Sequence, residues 1–322
     1  MSTLYHSPGA LTFEQIRAAH ERIRDTIHRT PVMTSETLDG MAGGRLFFKC
    51  ENLQKVGAFK ARGATNAVLL LPEADAVRGV VTHSSGNHAA ALARAAKLRG
   101  IPAFIVMPSN APQAKQASVR RYGGEIILCE PTLAAREATA RDVIQRTGAS
   151  FIHPYDNLHV MAGQGTTAIE LLEDVPDLDV ILCPVGGGGQ LSGIAVAAKA
   201  IRPGIRVVGV EPAAADDAAR SFKEGRILPA GTPVTIADGL KTSLGEKPFA
   251  EIRRLVDDIV TVREASIVQA MRLIWEVLKI IVEPSGAVSY AGVVEDSFKS
   301  QGKRAGIILS GGNLDLERLP WQ

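Results

Sequence analysis

Short β-branched runs alternate along this chain with alanine-rich stretches of helical periodicity, and that alternation restricts the fold more than any other feature. The runs GVVTH, AFIVM, EIILC, DVILCPV, RVVGVE and AGIILS are separated by segments such as Asn87 to Leu98, where small apolar residues recur on a helical repeat. A βαβα order implies parallel sheets covered by helices on both faces. In open sheets of this kind ligands sit beyond the carboxyl ends of the strands, so the loops that follow strands are where chemistry is to be sought. Thr12 and Gln15 have capping-box spacing ahead of an amphipathic run through Ile27, which predicts a first helix. The stretch from Gly225 to Gly245 is rich in Pro, Gly and Thr and reads as an excursion between elements.

A chain of 322 residues, 46% of them hydrophobic, can bury a large core and suggests two lobes. The net charge of +2 offers no field to gather polyanions, so no nucleic-acid partner is expected. MSTLYHSPGA lacks the basic and apolar regions of a signal peptide, and no apolar run reaches the roughly 18 residues of a membrane span. A cytoplasmic protein with no membrane partner is expected. Cys50, Cys129 and Cys183 are few and far apart, which predicts reduced thiols rather than disulfides or a zinc site.

Four loops combine small and polar residues. DVILCPV runs into Gly186, Gly187, Gly188 and Gly189 ahead of an alanine-rich helix. Consecutive backbone N–H groups free of Cβ interference, with a helix N-terminus behind them, suit a phosphate. No Lys-Ser/Thr follows and there is no G-x-G-x-x-G pattern, so a small phosphorylated cofactor fits better than a nucleotide. Upstream, GAFKARGATNAV places Phe59 beside Lys60 at a helix start, an aromatic wall next to an amine able to condense with a carbonyl. Taken alone, a lysine there is usually a solvated charge. In THSSGNHAAALA, Ser84, Ser85, Asn87 and His88 stand where a strand turns into a helix, a setting that suits a carboxylate or plain N-capping. Ser310 ends the strand AGIILS ahead of Gly-Gly-Asn313. Together these predict hydroxyl, amide and backbone groups converging on one edge of a sheet.

GAFKARGA, SSGNHAAA, PVGGGG and LSGGN, in this order, resemble the serine racemase and serine/threonine dehydratase family of fold type II pyridoxal-phosphate enzymes. HRTPV, FFKCENLQ, AGQGT, TIADGLK and EPSGA agree, so the likeness spans almost the whole chain, and it is strongest to the 3-hydroxyaspartate dehydratases and eukaryotic-type serine racemases. The resemblance implies an α/β fold like that of the tryptophan synthase β chain, with two open twisted sheets flanked by helices. It implies a large domain of residues 1–72 and 158–322, a small one of 73–157, a homodimer and a small amino-acid substrate. It makes Lys60 the Schiff-base lysine of pyridoxal 5'-phosphate, Phe59 the residue packed on the ring, and Asn87 the partner of the ring hydroxyl. Gly186 to Gly189 become the phosphate cradle and Ser310 the residue facing the ring nitrogen. A neutral hydroxyl there holds that nitrogen protonated less firmly than a carboxylate would, which favours β-elimination over a long-lived carbanion. Ser84, Asn87 and His88 match the cradle of the substrate α-carboxylate, and Ser85 the hydroxyl that handles the proton opposite the lysine.

Two further segments narrow the expectation. GVEPAAADDAA matches the metal segment of the racemases, with carboxylates from Glu211 and Asp217 and a carbonyl from Ala215, an oxygen set that suits Mg²⁺, Mn²⁺ or Ca²⁺. Arg136 matches an arginine placed near the far end of the substrate, where a guanidinium can grip a second carboxylate. That points to 3-hydroxyaspartate, converted through iminosuccinate to oxaloacetate and ammonia. The alternatives are serine racemisation, serine/threonine deamination and, remotely, a non-catalytic amino-acid-binding protein on the same scaffold.

Overall fold

The computed structural model describes residues 9–84 and 86–321. In chain order the elements are α1 (Phe13–Ile23), β1 (Val32–Met33), α2 (Glu36–Ala42), β2 (Arg45–Cys50), α3 (Lys60–Leu69), α4 (Glu73–Ala76), β3 (Val80–His83), α5 (Asn87–Arg99), β4 (Ala103–Pro108), α6 (Gln113–Arg121), β5 (Glu125–Cys129), α7 (Leu133–Thr147) and β6 (Ser150–Phe151). There follow α8 (Leu158–Asp174), β7 (Val180–Pro184), α9 (Gly189–Ile201), β8 (Arg206–Pro212), α10 (Asp217–Glu224), α11 (Glu246–Leu255), β9 (Asp258–Val262), α12 (Glu264–Leu273), α13 (Pro284–Val294) and β10 (Arg304–Leu309).

The strands form two sheets. One has six strands in the order β1-β2-β10-β7-β8-β9, parallel except for β1, and the other has four parallel strands in the order β5-β4-β3-β6. Successive side chains on a strand face opposite ways, so a strand covered on both sides must be apolar throughout. In β7, Ile181 and Cys183 join a core with α1, α8 and α9, whereas Val180 and Leu182 join one with α12 and α13. The smaller sheet repeats the arrangement, with Val80 and Ile105 packed toward α3 and α5 and Val81 and Val106 toward α7. All strands of the smaller sheet fall between residues 80 and 151.

Helix α1 opens with the expected capping box: Thr12 Oγ1 accepts from the Gln15 N–H and Gln15 Oε1 from the Thr12 N–H. The helix stops at Ile23, short of Ile27, because a tighter turn takes over in which the Thr26 N–H donates to the Ile23 carbonyl. Between Gly225 and Gly245 the chain forms one short 3₁₀ turn, Asp238–Leu240, and no strand. Cys50, Cys129 and Cys183 are free thiols. No helix among the described residues is long and apolar enough to cross a membrane.

Helix α3, which begins with Lys60, is held by buried charge. The Arg62 guanidinium donates to both oxygens of Glu51 (2.7 and 2.8 Å) and to both of Glu170 (2.7 Å each). Lys49 Nζ donates to Glu170 at 2.7 Å and to the Thr30 carbonyl at 2.7 Å, and Thr30 Oγ1 donates to Glu51 at 2.6 Å. Two cations and two carboxylates cancel, so the desolvated group carries no net charge. Burial would raise the Glu170 carboxyl, yet Arg62 and Lys49 outweigh it and hold that carboxyl down at about 2. The network ties β2, α3 and α8 together, and Gly163 of α8 lies so close to Gly63 and the Arg62 carbonyl that a Cβ there would overlap both. Arg62→Met removes one cation and, among the described residues, leaves Glu51 buried with only the Thr30 hydroxyl, and Glu170 with only Lys49. The expected cost is about 3–5 kcal/mol of unfolding free energy, to be read as a lowered urea midpoint; a midpoint within error of wild type would show that the network does not anchor α3.

Candidate active site

A cleft of about 260 Å³ opens between the two sheets, lined by Phe59, Lys60, Ser84, Asn87, His88, Arg136, Gly186 to Gly189 and Ser310. Every site residue expected near a cofactor or substrate therefore faces one space, except Ser85, which lies outside the described residues. The geometry corrects one expectation. The loops do not share one sheet edge: Ser84 follows β3 of the four-stranded sheet, whereas the glycines follow β7 and Ser310 follows β10 of the six-stranded sheet. The cleft forms where the carboxyl ends of two sheets face each other.

Lys60 reaches into this space from the first turn of α3. Its Nζ donates to the Pro154 carbonyl at 2.9 Å and stands 4.9 Å from the Phe59 ring centroid. Burial without a carboxylate partner disfavours the ammonium and lowers the lysine pKa to about 8. The neighbouring histidines are themselves held neutral. Burial, then the Lys60 charge, bring His88 down to about 3, and burial brings His153 to about 4. His153 Nδ1 accepts the Tyr155 and Asp156 backbone N–H groups at 3.3 and 2.8 Å, so its proton sits on Nε2. The His88 ring is turned onto the Ile152 carbonyl through Nε2 at 3.2 Å, and its Nδ1 is buried without a partner among the described residues. The N-cap of α5 is Gly86 rather than a serine, and Ser84 Oγ accepts from the Gly86 N–H at 3.3 Å.

Gly186 to Gly189 form the floor. Gly188 has φ +86°, and a Cβ on Gly187 would run into the Tyr155 ring. The backbone there lies where side chains are excluded, as close approach to a ligand requires. Opposite, Asn87 Nδ2 donates to Glu283 Oε1 at 2.8 Å, and Asn87 Oδ1 accepts from Asn313 at 2.9 Å. Burial, reinforced by the Asp238 charge, pushes the Glu283 carboxyl up to about 8. Asp238 pairs across the cleft with Lys115 of α6. Ser310 Oγ makes a long contact of 3.4 Å to the Ser285 carbonyl. A side-chain-free backbone cradle, a deprotonable amine beside an aromatic ring and a hydroxyl lining the same cleft fit a small phosphorylated carbonyl cofactor.

Arg136 projects from α7 into the same cleft, next to His83, whose pKa is lowered by burial and by the Arg136 charge. No carboxylate pairs with Arg136 among the described residues. Glu211, Ala215 and Asp217 lie apart, at the end of β8, in the following 3₁₀ turn and at the start of α10. Glu211 accepts the Ala218 and Ala219 N–H groups at 3.1 and 3.0 Å, whereas both Asp217 carboxylate oxygens are buried without a hydrogen-bond partner among the described residues. A buried unpaired carboxylate beside a second one fits an oxygen-ligated cation. The two carboxylates would leave most of its shell to carbonyls and water, since no cluster of three His, Cys, Asp or Glu occurs among the described residues.

Sequence reasoning missed Tyr155, His153, Lys115 and Asp238 as walls of the cleft. The signal for the first two was the strand end FIHPY, where an aromatic and a histidine bracket a proline after a short β run.

Comparisons with known proteins agree on one family. Residues 23–311 match the family described as pyridoxal-phosphate dependent enzymes. A serine racemase from Arabidopsis thaliana is 53% identical over 94% of this chain and 93% of its own length. A β-hydroxyaspartate dehydratase from Paracoccus denitrificans is 51% identical over 96% and 98%. The structure of maize serine racemase superposes with a TM-score of 0.94 at 49% identity, covering 96% of this chain and 95% of that one.

Proposed function

The chain belongs to the pyridoxal-phosphate-dependent enzymes of fold type II, and on that premise we propose that it dehydrates 3-hydroxyaspartate, yielding oxaloacetate and ammonia through iminosuccinate. The observation that carries this is the unpaired Arg136 guanidinium facing the cleft. A planar fork matched to a carboxylate has a natural partner in the β-carboxyl of a dicarboxylic amino acid and none in serine. One relative is named for this substrate.

Pyridoxal phosphate, when bound, supplies the electron sink that makes the substrate Cα–H bond acidic. In this proposal Gly186 to Gly189 hold its phosphate, Phe59 and Asn87 its ring, and Ser310 its ring nitrogen. Lys60 is the base: an amine with a pKa near 8 has an appreciable neutral fraction at physiological pH, unlike an ordinary lysine, and in that form can take the α-proton. Ser84 and the first-turn N–H groups of α5, those of Asn87 and His88, orient the α-carboxylate, while Arg136 fixes the far carboxylate. The β-hydroxyl departs with a proton as water, and the resulting enamine tautomerises to iminosuccinate, which hydrolyses. We assign residues 73–157 as the small domain, so that the substrate is gripped between Arg136 of that domain and the glycine floor of the large one.

A panel of serine, threonine and both 3-hydroxyaspartate diastereomers, with product identification, tests the assignment. Oxaloacetate from one hydroxyaspartate diastereomer at the highest kcat/KM is expected; pyruvate or D-serine as dominant product would replace it with serine chemistry. That second reading is favoured by the serine racemase relatives, and it would give Ser85 the proton on the face opposite Lys60.

A divalent cation on Glu211, Asp217 and the Ala215 carbonyl completes the proposal. A cation that binds the folded chain at about 100 times its Kd contributes about 2.7 kcal/mol of stability. Treatment with EDTA is therefore expected to lower the thermal midpoint by several degrees and reduce turnover, with both restored by Mg²⁺, Mn²⁺ or Ca²⁺. Unchanged midpoint and activity after chelation would leave these carboxylates a structural turn.

A further inference from the structure

Gln190 is a polar side chain that the fold leaves unsatisfied. It is the second residue of α9, directly after the four glycines. Its exposure is 4%, yet neither its Oε1 nor its Nε2 has a hydrogen-bond partner among the described residues. A buried amide without partners is unfavourable, and a leucine or methionine of similar volume would fill the same space without that cost. The side chain therefore points to a group that the folded chain does not itself supply.

Its surroundings define the chemistry of that group. Gln190 lines the cleft together with Gly186 to Gly189. Helix α9 runs for 13 residues from Gly189, and its N-cap Gly188 supplies no side-chain cap, so the first-turn N–H groups receive no side-chain acceptor from the cap and the positive dipole end lies at the cleft. Backbone donors, a helix N-terminus and an amide N–H all select an anion. We infer that the Gln190 amide is a side-chain donor to the cofactor phosphate, with its Nε2–H directed to a phosphoryl oxygen. A cradle built from backbone N–H groups can tighten only by moving the main chain; the amide adds one directional bond from a side chain and leaves the charge balance of the site unchanged. Gln190 is in this sense a binding residue and takes no part in proton transfer. The inference rests on the assignment of the phosphate to Gly186 to Gly189.

The test uses the full-length protein stripped of cofactor and titrated separately with pyridoxal phosphate, pyridoxal and inorganic phosphate. Gln190→Leu is expected to weaken pyridoxal phosphate about ten-fold, the scale of one hydrogen bond to a charged group, and to leave pyridoxal binding unchanged. Gln190→Glu, which sets a carboxylate against the phosphate, should weaken pyridoxal phosphate at least as much. Inorganic phosphate should raise the thermal midpoint of the wild-type apoprotein and raise that of Gln190→Leu less. Without phosphate, the Leu variant should melt at or above wild type, because it has lost an unsatisfied buried amide. Equal losses for pyridoxal and pyridoxal phosphate, no loss for either, or a lower melting point of the phosphate-free Leu variant would overturn the inference. If phosphate stabilised wild type and Gln190→Leu alike, Gln190 alone would be misassigned; if it failed to stabilise wild type, the cradle itself would fall. Gln190→Met, a second apolar replacement of similar volume, should give the same pattern of melting points and affinities.

Discussion

Lys60→Ala is expected to reduce turnover of every substrate by at least about 10⁴-fold, the upper range for removal of a positioned general base. The loss should be larger than base removal alone predicts, because the same amine is proposed to anchor the cofactor. The environment in the structure gives this a pH signature. Burial lowers the Lys60 pKa to about 8 by disfavouring the charged form, and the base must be neutral to accept a proton. In the wild type, kcat should therefore rise with pH through about 8 and fall as the amine protonates below it. Small primary amines added to Lys60→Ala should restore part of the turnover, since the cleft that holds the lysine stem is left open. Rescue separates loss of the base from loss of the fold. Borohydride should fix the cofactor to the wild-type protein and not to the variant. Residual activity near wild type would remove Lys60 from the mechanism.

Much of this was legible in the chain because the relevant signals are local. A β-branched run between turn residues becomes a strand of a parallel sheet in each of the six runs that announced one. The capping box of Thr12 and Gln15 is read from two residues three apart. The four glycines announce an anion cradle because their conformational freedom is a property of the residues themselves. What the sequence hid is what depends on distance. Arg62 and Glu170 are 108 residues apart, and in sequence each reads as an ordinary surface charge; burial is set by α3 crossing α8, which no local pattern encodes. Lys115 and Asp238 are likewise partners only across the cleft, 123 residues apart. The pattern of runs alone places the loops on one sheet edge because alternation does not reveal that β3 and β7 belong to different sheets, although the family resemblance implies two. Gln190 was passed over for the opposite reason: it sits inside the most legible motif of the chain, and only its unsatisfied amide sets it apart.

Substrate choice turns on Arg136, and its replacement should have the second largest effect. With 3-hydroxyaspartate, Arg136→Ala is expected to lower kcat/KM by about 10³ to 10⁴-fold, because a site built to bind a polar group loses heavily when one partner is missing. Serine carries nothing to meet the guanidinium, so its kcat/KM should change by a few-fold at most, or improve as an unpaired cation leaves the cleft. Arg136→Lys keeps the charge and loses the fork, and should fall between the two. The contrast between substrates is the decisive quantity, since a general disturbance of α7 would affect both. Arg136 lies on the first turn of a 15-residue helix capped by Thr132, with the Arg136 N–H donating to the Thr132 carbonyl, so truncating its side chain leaves the backbone that positions it in place. Equal losses on serine and hydroxyaspartate would make Arg136 a general electrostatic element of the cleft, and the dicarboxylate assignment would give way to serine chemistry.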